Sequence, residues 1–287
     1  PTNLTILTSN RFIGKRFTLK DGEIHKTSET TFISGQAERA YAPDAETLRA
    51  LIETLCEGEN LCLGVMPDHK VAKVVMDTAY RRRKDKTGVI ARTTDHLVHP
   101  DCPGWLLIDF DDDWMPDAVA KRIEALGGVV AALRHIWPEL ADAEMLVRGS
   151  SSNGVYADGI EPKASSGLHV YVLIKDHANS VAALNALHRR AWAAGLGWIK
   201  PSKSGQALVR SIVDASVGTS NRIAFEAPPQ LGEGVYSLPD EITTQAGQAL
   251  DAPLDAPDVT ELIEADKVRM RPVLDEIKRK YIRAKGK

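Results

Sequence analysis

The sequence predicts an α+β protein, with α/β on one sheet as the close alternative, and three observations carry that prediction. Strand-like and helix-like segments alternate through the middle of the chain. The run SGLHVYVLI (Ser166 to Ile174) is dense in β-branched and aromatic residues, which favour a pleated surface. The stretch MPDAVAKRIEALGG sets Pro116 at a helix start and Gly127-Gly128 at its end, the usual asymmetry of helix termini.

In chain order, RFTLKDGEIHKTS places Asp21-Gly22 between two β-like runs and predicts a hairpin. DAETLRALIETLCEG (Asp44 to Gly58) spaces its apolar residues three and four apart and closes on glycine, so an amphipathic helix is expected. LCLGVM (Leu61 to Met66) is a strand candidate, and VVAALRHIW predicts a second helix after the one at Pro116. EMLVRGSSSNGVY predicts a strand leaving into a polar loop. HANSVAALNALHRRAWAAG predicts a helix, and ALVRSIVDAS (Ala207 to Ser216) another strand. ALDAPLDAPDVTE is rich in Pro, Ala and Asp and predicts a linker, with a basic helix beyond it. The expected organisation is an N-terminal module over about residues 1–100, a sheet over about 101–248, and a linker with its helix over 249–287.

Hydrophobic residues make up 43% and charged residues 26%, the balance of a soluble globular chain. No apolar stretch nears the roughly 20 residues that span a bilayer. The N-terminal PTNLTILTSNRF lacks the charged-then-apolar layout of a signal peptide, so a cytoplasmic protein with no membrane partner is expected. Cys56, Cys62 and Cys102 form no CxxC pair, so neither a disulfide framework nor zinc is expected. A net charge of −3 argues against a protein that coats polyanions with its whole surface. Basic character is local, in RRRKDK (Arg81, Arg82, Arg83 and onward) and in the tail KRKYIRAKGK. Such runs are ordinarily solvated faces; DNA contact is the functional alternative for Arg81, Arg82 and Arg83.

The chemistry-bearing stretch is GWLLIDFDDDW, where four carboxylates follow an apolar run. On a strand, side chains two apart share a face, so Asp109 and Asp111 point together while Phe110 points away. Two carboxylates held so close share a proton or bind a cation. Hard oxygen ligands suit Mg²⁺ or Mn²⁺. A calcium loop is excluded by spacing: counted from Asp109, the sixth position is Trp114 instead of glycine and the twelfth Ala120 instead of glutamate. Asp112 and Asp113 fit an acidic helix cap ahead of Pro116.

In LVRSIVDAS, Leu208, Arg210, Ile212 and Asp214 fall on one face, and Asp214 ends the run. A strand-end Asp is also an ordinary turn former. Arg210 either reaches the site or simply pairs with Asp214. His169 lies within a strand two residues after Gly167, which leaves room for a ligand; a satisfied sheet histidine is the plain alternative. Lys163, Ser165 and Ser166 are candidate donors to phosphate oxygens, as is Arg222 in TSNRIAFEAPPQL.

The order of these pieces, IDFDDD, then SSGLHVYV, then SIVDASV and NR, resembles the archaeo-eukaryotic primase (prim-pol) superfamily. The match covers about Trp105 to Leu231, and GWIKPSKSGQALVRSIVD is similar to primase-like proteins of phages, plasmids and integrated elements. Ser166 and Gly167 stand where many relatives carry a basic residue or serine ahead of the histidine. Phe225 and Glu226 stand where some carry a second arginine.

The resemblance implies an RRM-like antiparallel or mixed sheet with packed helices beside an N-terminal α/β module. It implies a DNA primase-polymerase acting on single-stranded or primed DNA with dNTPs or NTPs. Asp109, Asp111 and Asp214 would hold two Mg²⁺ or Mn²⁺ ions. His169 and Arg222 would hold the triphosphate, assisted by Lys163, Ser165 or Ser166. Relatives often precede a helicase domain, so a helicase partner is expected too. Three rivals stand beside this reading: a metal-dependent nuclease, a replication initiator that only binds DNA, and a nucleotide-binding regulator on a degenerate primase fold.

Overall fold

The computed structural model describes residues 2–163 and 167–285. The protein is α+β, and the chain divides into two compact units, each assembled from three separated stretches. Unit 1 comprises Pro1–Leu107, Asp142–Ser180 and Ser216–Ala252; unit 2 comprises Ile108–Ala141, Val181–Ala215 and Pro253–Lys287.

Unit 1 is built on two main sheets. The first runs in the order Ile223–Ala224, Glu59–Cys62, Asn3–Ser9, Ser34–Tyr41, Val71–Val75, Val89–Ala91. Leu7, Ile13, Phe32, Ala37, Met66, Val74 and Ile90 close its core. The second runs Ile242–Gln245, Met145–Gly149, Leu168–Ile174, Gly104–Phe110. The last of these strands begins in unit 1, and its final residues belong to unit 2. The expected hairpin is present as Gly14–Lys20 paired with Glu23–Glu29. Its two turn residues, Asp21 (φ 53°) and Gly22 (φ 78°), both take the left-handed region that a tight hairpin turn demands. The helix Ala45–Thr54 starts where Asp44 accepts a hydrogen bond from Thr47 N at 2.7 Å, and it buries Ala45, Leu48 and Ile52.

Unit 2 holds the helices Asp117–Leu126, Val129–Ile136, Ser180–Ala193 and Thr260–Lys285, with the hairpin Gly197–Pro201/Ala207–Ser211. The first of these helices ends on Gly127 at φ 97°, as the glycine pair led one to expect. Pro116 is its cap residue and Asp117 its first helical residue. The C-terminal helix packs on the hairpin: Val259, Ile263 and Met270 meet Trp192, Ile199, Ala207 and Val209. Ile199 N donates to Asp266 Oδ2 at 3.0 Å.

Three expectations are corrected. Instead of one sheet, the described residues form five. Pairing partners are drawn from short strands, such as Val155–Ala157 and Val235–Ser237, that carry too few residues to show a period in sequence. The strand expected over Ala207–Ser216 ends at Ser211. There Ser211 Oγ donates to Val213 O at 2.9 Å and accepts from Val213 N at 3.1 Å, and this local side-chain bonding competes with the ladder. The strand candidate Leu61–Met66 is Glu59–Cys62, because Gly64 leaves it to donate to Ser220 O at 3.0 Å. Among the described residues no helix is long and apolar enough to cross a membrane.

Candidate functional site

Strand Gly104–Phe110 buries Trp105, Leu106, Leu107 and Ile108 completely or nearly so, which fixes the strand and delivers Asp109 half-buried at its end. Phe110 turns into the core. Asp111 is the first residue beyond the strand and is exposed; its Oδ1 accepts from Asp113 N at 3.2 Å. Asp214 belongs to the same unit, and its backbone N donates to Asp109 O at 3.0 Å. Two acids 105 positions apart in the chain thus share a main-chain hydrogen bond.

The Asp214 carboxylate pairs with Arg210, Nη1 to Oδ2 at 2.7 Å, so of the two readings of Arg210 the pairing is the one present. His188 stands alongside: its Nδ1 lies 2.9 Å from Ser211 Oγ, and burial lowers its pKa against the opposing pull of Asp214. Asp113 does not cap the following helix, which has no side-chain cap; it forms an ion pair with Lys200. Its carbonyl accepts from Trp198 Nε1 at 3.3 Å.

Among the described residues, no group of three His, Cys, Asp or Glu side chains converges to hold a metal ion. The donor set itself is all-carboxylate, the chemistry that a hard divalent cation takes, and the Asp109–Asp214 hydrogen bond brings the two chain segments that carry it together. In this arrangement Asp214 faces a guanidinium. The cysteines are free; Cys62 is buried, and burial pushes its thiol up to about 12.

His169 and Arg222 lie in unit 1. His169 is a buried residue of strand Leu168–Ile174, paired across the ladder with Arg148. Period-two geometry puts Tyr171 on the same face. Against that face sits Glu226, wholly buried. Its Oε1 lies 2.6 Å from His169 Nδ1 and also accepts from Tyr171 OH. Arg148 Nη1 stands 2.8 Å from Glu226 Oε2 and donates to the Glu226 carbonyl at 2.9 Å, while its Nη2 pairs with Asp240. Burial pushes the Glu226 carboxyl up, but the charges of His169 and Arg148 with the hydrogen bonds from His169 and Tyr171 outweigh it and hold the group at about 2. Asp240 is raised, burial prevailing over the pull of Arg148.

Arg222 is exposed, with its N bonded to Thr219 O at 3.0 Å. Next to it in space is Arg92, whose Nη1 donates to Asn221 O at 2.8 Å. Burial, and then the like charge of Arg222, lower the Arg92 pKa against the opposing influence of Cys62. Lys163 ends strand Ile160–Lys163; Ser165 and Ser166 lie outside the described residues. Arg81, Arg82 and Arg83 are exposed at the end of the short helix Asp77–Arg81, and Arg81 pairs with Asp77 at 2.8 Å.

Sequence reasoning missed Glu226, Arg148 and Arg92. An arginine inside the apolar run of MLVRG was a readable sign of a buried ion pair. Nothing local marks Glu226, whose partners lie 55 to 78 positions away. No protein-family model, no curated protein and no solved structure matches this chain.

Proposed function

We propose that this chain is a template-dependent nucleotidyltransferase of the primase-polymerase type, which builds an RRM-like catalytic sheet and extends or initiates chains on single-stranded DNA. The observation that carries the reading is the hydrogen bond from Asp214 N to Asp109 O at 3.0 Å. It supports the idea that the acids of IDFDDD and SIVDASV serve one centre, as the resemblance of the motifs implies. Asp109, Asp111 and Asp214 are the residues that would hold divalent ions, with Arg210 giving up Asp214. Such ions, when bound, neutralise charge on the attacking and leaving oxygens of an in-line displacement.

The chain's own residues then bind and orient. His169 and Arg222 take up the triphosphate as charged donors, with Lys163, Ser165 and Ser166 as further donors. The basic run Arg81–Arg83 contributes sequence-independent attraction to template phosphates.

The test offers primed and unprimed single-stranded templates with labelled dNTPs or NTPs and Mg²⁺ or Mn²⁺. Incorporation is expected from the native chain, and Asp109→Ala with Asp111→Ala should abolish it while the circular dichroism spectrum stays native. Full activity in that variant overturns the proposal. Loss of DNA without any need for nucleoside triphosphates would mark a nuclease instead, and salt-sensitive binding alone an initiator.

A further inference from the structure

We propose that the cleft between Phe12 and the hairpin Gly14–Lys20/Glu23–Glu29 holds one nucleotide unit of a single DNA strand, Arg11 and Arg16 meeting its phosphates and Phe12 its base. The proposal rests on the single-stranded template of the reading above, and it names where in unit 1 that strand is gripped.

The two hairpin strands pair so that Arg16 lies opposite Thr27 and Gly14 opposite Glu29. Residues two apart share a face, so Arg16, Thr27 and Glu29 stand together on one side, all exposed. The other side carries Phe17, which is buried. Just before the hairpin, the half-buried ring of Phe12 reaches Gly14: a Cβ there would come within 3.2 Å of it, and φ is +148°. Glycine thus leaves the ring its seat beside the hairpin. With Arg11, Thr31 and Ile33 these residues line a cleft of about 350 Å³. Ligand sites run from about 300 to 1,000 Å³, so this one suits a single nucleotide unit.

Charge selects an anion. Arg11 and Arg16 line the cleft against one acid, Glu29, whose Oε1 accepts from Thr31 N at 3.2 Å. Among the described residues neither arginine pairs with a carboxylate. A guanidinium is always charged, and its fork of N–H donors matches phosphate oxygens. The apolar surface then narrows the choice. A bare inorganic anion gains nothing from Phe12 and Ile33, whereas a nucleotide joins a phosphate to a planar ring. Bases stack on aromatic side chains and on arginine planes, the pairing that single-strand sites use.

Arg16 is held ready for this. Its Cζ lies 5.2 Å from the centroid of the Phe12 ring, within cation–π range. Strand Gly14–Lys20 pairs in parallel with Gln230–Leu231, which sets Gln230 opposite Arg16. Arg16 Nε donates to Gln230 Oε1, and Gln230 Nε2 donates to Glu57 Oε1 at 2.6 Å. The guanidinium is therefore fixed through Nε, and among the described residues its two Nη groups form no hydrogen bond.

The test follows the anisotropy of a labelled oligothymidylate on the full chain over a salt series, beside an abasic strand of equal length and dTMP. The native chain should bind the oligothymidylate about tenfold tighter than the abasic strand, the share of one stacked base. Arg11→Gln with Arg16→Gln should lower the slope of log affinity against log salt by about 1.4, since each single-strand phosphate counts for about 0.7. Phe12→Leu, which keeps an apolar side chain against Gly14, should erase the preference for bases and leave the slope unchanged. Circular dichroism should stay native in both variants. A native slope and affinity in the double arginine variant overturn the proposal, as does a native chain that binds no strand. Equal affinity for dTMP and the oligothymidylate makes the cleft a mononucleotide site and overturns it too; equal affinity for the abasic strand overturns the base contact. Strand binding that depends on Arg11 and Arg16 in a chain that incorporates no nucleotide refutes the polymerase reading and leaves this site standing. Incorporation with unaltered strand binding in the variants refutes this site alone.

Discussion

His99 and His177 show how far one residue's surroundings override its type. Their rings stack at 4.0 Å between centroids, and a Cβ on Gly104 would come within 2.3 Å of the His177 ring, so glycine is required there by space. Burial pushes His99 down to about 4; burial and then the neighbouring His99 push His177 down to about 3. Both folded-state values lie below the value of about 6.5 for an unperturbed ring, so the unfolded chain takes up these protons first. The stability these rings allow is whole above about pH 6.5. It drains as pH falls from there toward 4 and 3. Urea unfolding between pH 7 and 4 should show a falling free energy, with a shallower fall in His99→Gln. A pH-independent curve would contradict the assignment.

The sequence leads one to expect a basic helix after a linker. The helix Thr260–Lys285 lays one side on the hairpin Gly197–Pro201/Ala207–Ser211 within unit 2. The contact is tight at Gly205, where φ is +79° and an added Cβ would lie 2.6 Å from Leu274 O. Asp266 reaches from the helix to the backbone of the hairpin's first strand at Ile199 N. Asp266→Ala should leave that amide without its charged acceptor and lower stability by about 1 kcal/mol. Faster amide exchange along the helix should accompany the loss. Unchanged exchange would mean that the apolar contacts alone hold the helix.

At the scale of the molecule, apolar clusters carry each unit: Leu7, Phe32 and Met66 in unit 1, and Trp192, Ile199 and Val259 in unit 2. Burial of such clusters is the main favourable term in folding, and it needs no ion. If the proposed function holds, removal of divalent ions with a chelator should stop nucleotide incorporation while leaving the thermal midpoint within about 2 °C, a shift worth less than about 1 kcal/mol. A large loss of stability on chelation would assign the acids a structural metal.

What the sequence determined by itself is local. Asp21-Gly22 dictates a turn because both positions must take positive φ; Gly127 ends a helix for the same reason; Trp105 to Ile108 must be buried, and they carry Asp109 with them. The order of the acids, the strand histidine and Arg222 was legible as a pattern of residue types. Only the tertiary structure decided which distant groups meet. It joined Asp214 to Asp109, set Glu226 against His169 and placed Arg92 beside Arg222. The physical reason is that hydrogen bonds and ion pairs between segments fifty or more residues apart depend on how sheets pair and loops close. Composition and short-range period leave no record of those distances.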